Sequence, residues 1–229
     1  DDPGVRPQRE ALLRDLREMS ALVEDLLESE RLSDRHVALQ RESLDLAVLA
    51  RGVITELQTR HPGVQVALQV PPELPPQWLD ATRLRLLLRN LLENAVRHAG
   101  NGRDPDKKGA HGSTMSGEGG NDTVSSHGHT VAPDTDVIAM VRIDRIPTGG
   151  YVIEVRDWGP GVPEEQLSKL AEPFHRPDAA RSRHAGGVGL GLYLCRLVAQ
   201  AHGGRLALEN AHPGLRVRAW LPSDMQAPQ

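Results

Sequence analysis

Leu84-Arg85-Leu86-Leu87-Leu88-Arg89-Asn90-Leu91-Leu92-Glu93-Asn94-Ala95-Val96-Arg97-His98 is the stretch that decides how this chain folds. Leu84, Leu87, Leu88, Leu91, Leu92, Ala95 and Val96 recur at helical spacing, and Asp80 stands where an N-cap is needed, so a long helix is predicted from there to Ala99. Asn90 and Asn94 are four residues apart and share a face, with Arg97 and His98 a turn further on. A buried face avoids amides unless their hydrogen bonds are met, so this polar edge beside Leu87, Leu91 and Val96 either requires a partner or is a helix edge in water. An amide oxygen is a hard ligand suited to Mg²⁺, which keeps several waters and binds jointly with phosphate oxygens.

Upstream of that helix, Val64, Val66, Leu68 and Val70 alternate as a half-buried strand closed by the proline-rich run Pro71 to Pro76. Before it, Asp45 is placed to cap a helix from Leu46 to about Arg60, preceded by a short strand from Ala38 to Leu44. From Gln8 to Leu32, Leu12, Leu16, Met19, Val23 and Leu26 follow spacings of 4 and 3, the seam of a helix that packs in a bundle or coiled coil, the alternative being an internal core helix of the main domain. Downstream, residues 100–136 are rich in Gly, Ser, Asp and His and contain no aromatic residue, which predicts a low-complexity insertion. His111, His127 and His129 within it lack the Cys or second cluster that a metal site needs. Val137, Ala139, Val141 and Ile143, a turn at Pro147 to Gly150, then Tyr151, Ile153 and Val155 predict a hairpin. A charged loop from Glu172 to Gly186, a helix from about Leu190 to His202 stopped by Gly203-Gly204, and strands Leu206–Glu209 and Leu215–Leu221 complete the chain. Strands run in antiparallel-type groups rather than in strict alternation with helices. The fold class is therefore α+β, a two-layer α/β sandwich with helices on one face and a long N-terminal helix in front.

The 229 residues are 38% hydrophobic and 25% charged, values of a globular chain sized for one large domain with an appendage. The net charge of −4, with 27 basic residues spread along the chain, gives no electrostatic case for a nucleic-acid partner. Cys195 stands alone, so no intrachain disulfide forms, and no apolar run approaches the roughly 18 residues of a membrane span. A soluble chain from a reducing compartment, making no membrane contact itself, is the expectation. It starts Asp1-Asp2-Pro3-Gly4, with neither Met nor a leader pattern, and we read it as a piece of a longer protein.

Two further clusters bear chemistry. Asp157 closes a strand and is followed by Gly159 and Gly161; glycines so near a carboxylate let a flat ligand approach, while the carboxylate accepts from an exocyclic amine. An ordinary tight turn has the same pattern. Gly186-Gly187-Val188-Gly189-Leu190-Gly191 opens a helix, where exposed N–H groups and the positive dipole end favour phosphate. Arg176, Arg181, Arg183 and His184 precede it, either as phosphate contacts or as a solvated charged loop.

Together these elements resemble the nucleotide-binding domain of sensor histidine kinases, in the superfamily shared with gyrase, heat-shock chaperone and mismatch-repair ATPases. Asn90 to His98 resembles the N box, Asp157-Trp158-Gly159-Pro160-Gly161 the G1 box, Glu172-Pro173-Phe174 the F box and Gly187-Val188-Gly189-Leu190-Gly191 the G2 box, all in family order. The resemblance covers about residues 38–222 apart from the insertion, and residues 1–36 look like the second helix of the dimerisation bundle with its linker. It implies an ATP-binding catalytic domain over 37–224, interrupted at 100–136. It implies that Asn94 coordinates Mg²⁺, Asn90 supports the phosphate side and Asp157 selects adenine. Arg97 and His98 stand where Lys-Tyr is common and keep the basic group. Phe174 to Gly186 would form a lid, with Arg181 and Arg183 on the phosphates. The implied reaction passes the ATP γ-phosphoryl group to a histidine and then to a response regulator, in a homodimer on the cytoplasmic side of a bacterial inner membrane. None of the ten histidines precedes an acid, as the family's phosphoacceptor does, so that acceptor is expected on a helix absent from this chain. The alternatives are a non-catalytic nucleotide-binding and dimerisation module, and a chaperone-type ATPase in which Glu93 activates water.

Overall fold

A computed structural model describes residues 9, 12, 16, 19–20, 23–24, 26–32, 38–99, 137–147, 149–175 and 189–222. From Glu42 they form α1 (Leu46–Arg60), α2 (Ala81–Ala99), a single turn α3 (Glu164–Leu167) and α4 (Gly191–Ala201), with strands β1 (Glu42–Leu44), β2 (Gln65–Gln69), β3 (Gln77–Leu79), β4 (Val137–Arg145), β5 (Tyr151–Asp157), β6 (Arg205–Asn210) and β7 (Leu215–Leu221). Five strands make one sheet in the order β2-β4-β5-β7-β6, while β1 and β3 pair separately. The predicted strand at 38–44 is shorter, beginning at Glu42, and β3 follows the proline-rich run Pro71 to Pro76, where no strand is expected. The sheet is mixed: β2 runs parallel to β4 and the other three pairings are antiparallel. The parallel pair follows from α2 lying between β2 and β4 in the chain, because a helix crossover returns the chain in the same direction.

Both long helices start where the sequence says. Asp45 accepts hydrogen bonds from the N–H groups of Ala47 (2.8 Å) and Val48 (3.0 Å), satisfying two donors that a helix start leaves unpaired. Asp80 does the same for Arg83 N–H (3.0 Å) through Oδ1, and its Oδ2 accepts from Gln40 N–H (3.0 Å). The apolar faces of α1, α2 and α4 then meet the sheet: Leu49, Val53 and Leu57, Leu84, Leu88 and Leu92, and Leu194, Val198 and Ala199 are all buried. On the sheet, Val141, Val155, Val217 and Leu208 lie in one cross-strand row and Ile143, Ile153, Ala219 and Leu206 in the next. The opposite sheet face carries Glu154, Arg216, Arg218 and Glu209 in mutual ion pairs, so it tolerates solvent.

Every described residue between 9 and 32 is helical. The five seam side chains are 48–62% exposed, so none of them enters the core. The end of this helix does touch the sandwich: Glu28 pairs with Arg83, Ser29 is buried and Leu32 rests on the core.

His202 locks α4 to α2. Its Nδ1–H faces the carbonyl of Val198 (2.9 Å) while Nε2 accepts from Asp80 N–H (3.2 Å), an arrangement only the neutral ring satisfies. Burial pushes its pKa below the ordinary 6.5, outweighing the Val198 bond and the charge of Asp80. A depressed folded-state value gives stability that is present above the unfolded pKa and lost as pH falls through the folded one. Thermal melts from neutral pH down to about pH 5 should therefore show a steeper loss in the wild-type chain than in His202→Gln. Parallel curves for the two would mean that this ring does not link proton uptake to unfolding.

Candidate nucleotide-binding site

Along β5, Tyr151, Ile153 and Val155 face the helices, and the two-residue strand period carries Asp157 onto the same inner row. A carboxylate thus stands where the pattern calls for an aliphatic side chain, and it is only 5% exposed. Its Oδ1 accepts from Gly159 N–H (2.8 Å) and Leu215 N–H (3.1 Å). Burial raises its pKa, and those two hydrogen bonds and the charges of His98 and Arg156 only partly offset the effect. A Cβ on Gly159 would lie 3.0 Å from both Asp157 Oδ1 and the carbonyl oxygen of His98, so glycine is what lets this loop meet the end of α2.

The Asn face of α2 meets the glycine-rich start of α4. Asn90 Nδ2 donates to Leu86 O (3.1 Å), and its Oδ1 sits 3.0 Å from where a Gly191 Cβ would stand. Asn94 is half-buried one turn nearer His98, which is also half-buried, and Arg97 is exposed. Leu190, the N-cap of α4, makes no side-chain cap hydrogen bond to the first-turn N–H groups. Gly189 has φ +81° and packs against His175 O, and its carbonyl accepts from Phe174 N–H (3.1 Å). The Glu172-Pro173-Phe174 segment is therefore fastened to the glycine-rich start, with Phe174 62% exposed. Glu93 turns to α1 instead, where Arg60 holds its carboxylate at 2.5 Å.

Asn90, Asn94, Arg97, His98, Asp157, Gly159, Gly161, Phe174, Gly189, Leu190 and Gly191 thus converge from four separate stretches of chain. Arg181, Arg183 and Gly187 lie outside the described residues, as do His111, His127 and His129. Sequence reading missed the β6–β7 turn, which supplies Leu215 N–H to Asp157 and seats Gly214 directly on the Asp157 carbonyl. Pro213-Gly214 marks a turn in the sequence, yet nothing local marks the contact of Leu215 with a residue 58 positions away. Chemically, the arrangement offers a buried acceptor for an amine, helix-start N–H groups for an anion, and an amide oxygen for a hard cation.

A family model described as "Histidine kinase-, DNA gyrase B-, and HSP90-like ATPase" matches residues 79–225. The probable sensor histidine kinase TcrY of Mycobacterium tuberculosis (strain ATCC 25618 / H37Rv) is 31% identical over 225 residues, covering 98% of this chain and 40% of that protein. This chain thus spans less than half the length of the curated relatives it matches first. Among solved structures, full-length ShkA in complex with AMPPNP superposes with a TM-score of 0.66 at 22% identity, over 95% of this chain and 39% of that one. Histidine kinase ThkA in complex with the response regulator protein TrrA gives 0.64 at 20% identity, over 97% and 52%. At those identities the two structures establish a shared fold.

Proposed function

Since the chain belongs to the histidine kinase-, DNA gyrase B- and HSP90-like ATPase family, we propose that it is the ATP-binding catalytic part of a two-component sensor histidine kinase. It would present the γ-phosphoryl group of ATP to a histidine on a dimerisation helix, from which a response regulator receives it. The observation that carries this reading is the buried carboxylate of Asp157, set against the last turn of a helix whose Asn90 abuts the glycine-rich start of α4.

Within the site, both main-chain bonds to Asp157 fall on Oδ1, so Oδ2 is the oxygen that accepts the adenine amine. Gly159 and Gly161 let the flat base approach, and the N–H groups after Gly187, Gly189, Leu190 and Gly191 take phosphate oxygens together with Arg181 and Arg183. The donor set suits magnesium: Asn94 offers one hard oxygen, leaving other positions for water and phosphate. When bound, magnesium neutralises charge on the phosphates. Asn90, whose Oδ1 lies against Gly191, supports the phosphate side, while Arg97 adds positive charge. The Arg60 pairing directs Glu93 toward α1, which weighs against the chaperone-type reading with Glu93 as base.

Two features support the partners. The exposed seam of Leu12, Leu16, Met19, Val23 and Leu26 fits pairing in a dimerisation bundle, and the ThkA complex contains a response regulator. Among the described residues no helix is long and apolar enough to cross a membrane; a position at the cytoplasmic face of an inner membrane would rest on an anchor elsewhere in the protein.

The test joins binding to transfer. Mg-ATP at a hundred times its Kd should raise the melting temperature by about 5–10 °C, the shift that about 2.7 kcal/mol of linkage gives a domain of this size. Labelled ATP should pass its γ-phosphate to a separately made acceptor bundle, as an acid-labile phosphohistidine. Absence of any nucleotide-dependent shift would overturn the site; steady hydrolysis without an acceptor would favour the chaperone-type alternative.

A further inference from the structure

The loop from Asp157 to Val162 lies between β5 and α3, and of these residues only Asp157 belongs to a strand. Buried or half-buried backbone groups outside regular structure still need partners, and such a loop holds one shape only if something supplies them. Asn210, the last residue of β6, does so. Its Oδ1 accepts from Val162 N–H (3.0 Å), and its Nδ2 donates to Val162 C=O (2.7 Å) and to Glu164 Oε1 (2.9 Å). One side-chain amide thus gives Val162 the donor and acceptor that a neighbouring strand would give. Gly161 runs beneath it at φ +73°, where a Cβ would stand 2.8 Å from Asn210 Oδ1, so the amide and the loop are in tight contact.

Asn210 is also the cross-strand register partner of Leu215, whose N–H holds Asp157 Oδ1 at 3.1 Å. A single residue pair of the β6–β7 hairpin therefore grips the loop at both ends, Asp157 through Leu215 and Val162 through Asn210. We infer that Asn210 is a positioning residue for nucleobase recognition: through Val162 it fixes the loop that sets the Asp157 carboxylate against the base. The inference rests on the reading of this loop as the adenine site, and it lies outside the motifs that identify that site. An amide is the chemistry required. Carboxylate cannot donate to Val162 C=O and would face the Glu164 carboxylate, and alanine leaves both Val162 groups unpaired.

The experiment measures dissociation constants of Mg-ATP, Mg-GTP and inorganic triphosphate by calorimetry on the wild-type chain, Asn210→Ala and Asn210→Asp. ATP affinity should fall about tenfold in both variants with the ATP-to-GTP preference contracting, because lost loop order removes base reading. Triphosphate affinity should hold to within about twofold, since its contacts lie at the start of α4. A lowered melting temperature with an unchanged ATP-to-GTP ratio would overturn the inference and leave the adenine reading standing. A wild-type chain with no preference for ATP would overturn that reading and the inference with it. Should the substitutions prevent folding, hydrogen exchange on the wild-type chain decides: the Val162 amide must exchange slowly, and exchange at the rate of an open loop overturns the proposal.

Discussion

Asp157→Asn should lower ATP affinity by about 10- to 100-fold, the loss of a hydrogen bond to a charged acceptor, while leaving the nucleotide-free chain at least as stable as wild type at neutral pH. The two effects separate because Asp157 has two jobs on two oxygens. Oδ1 takes Gly159 N–H and Leu215 N–H, and an asparagine oxygen accepts both. The other position then presents N–H groups to the amine of adenine, donor against donor. The stability sign follows from the raised pKa. A folded-state value above the ordinary 3.8 means that the carboxyl favours the fold most at acid pH, and that this contribution is lost as pH rises through the elevated value. At neutral pH the ionised group is the form that burial penalises, and the neutral amide escapes that penalty. Thermal melts with and without Mg-ATP check both halves. A variant that melts well below wild type without nucleotide, or that keeps the ATP-induced shift, would contradict the assignment.

Gly214→Ala should cost about 2–5 kcal/mol, from a positive-φ penalty of about 1–2 and an overpacking penalty of about 1–3. Its φ is +91°, and a Cβ would stand 1.9 Å from the Asp157 carbonyl oxygen, a backbone atom that has no rotamer by which to retreat. Relief requires the β6–β7 turn to move, which draws Leu215 N–H away from Asp157, so stability and nucleotide binding should fall together. For a domain of this size the drop in melting temperature is on the order of 10 °C. Gly52→Ala is the matched control: it sits inside α1 with nothing within 4 Å of its Cβ position, and should gain roughly 0.5–1 kcal/mol. Equal, small effects for the two glycines would refute the close approach at Gly214.

Much of the architecture was legible because it is written in local patterns. Asp45 and Asp80 cap their helices as read, since a cap is a contact between neighbours three residues apart. The inner row of β5 follows from a two-residue period, and that same period exposes Asp157 as the anomaly. The four motif stretches bring most of the candidate site with them, because each is a short run: Asn90 to His98 follows helical spacing, and Asp157 to Gly161 and Gly187 to Gly191 carry their own glycines. Strand direction was harder. The parallel pairing of β2 with β4 joins segments separated by a helix and the 100–136 stretch, and nothing in either strand encodes its partner's direction.

By itself, then, the sequence determined which faces are apolar, where the long helices begin and end, the two-layer α+β class and the motif residues that mark a nucleotide site. Only the tertiary structure decided what stands behind those residues. Leu215 supports Asp157, Asn210 supports Val162, Arg60 turns Glu93 toward α1, and His202 couples α4 to the start of α2. All four join residues 33 to 122 positions apart. Periodicity and propensity report the free energy of a residue among its chain neighbours, whereas a buried polar contact is chosen by whichever distant group the folded sheet brings within about 3 Å.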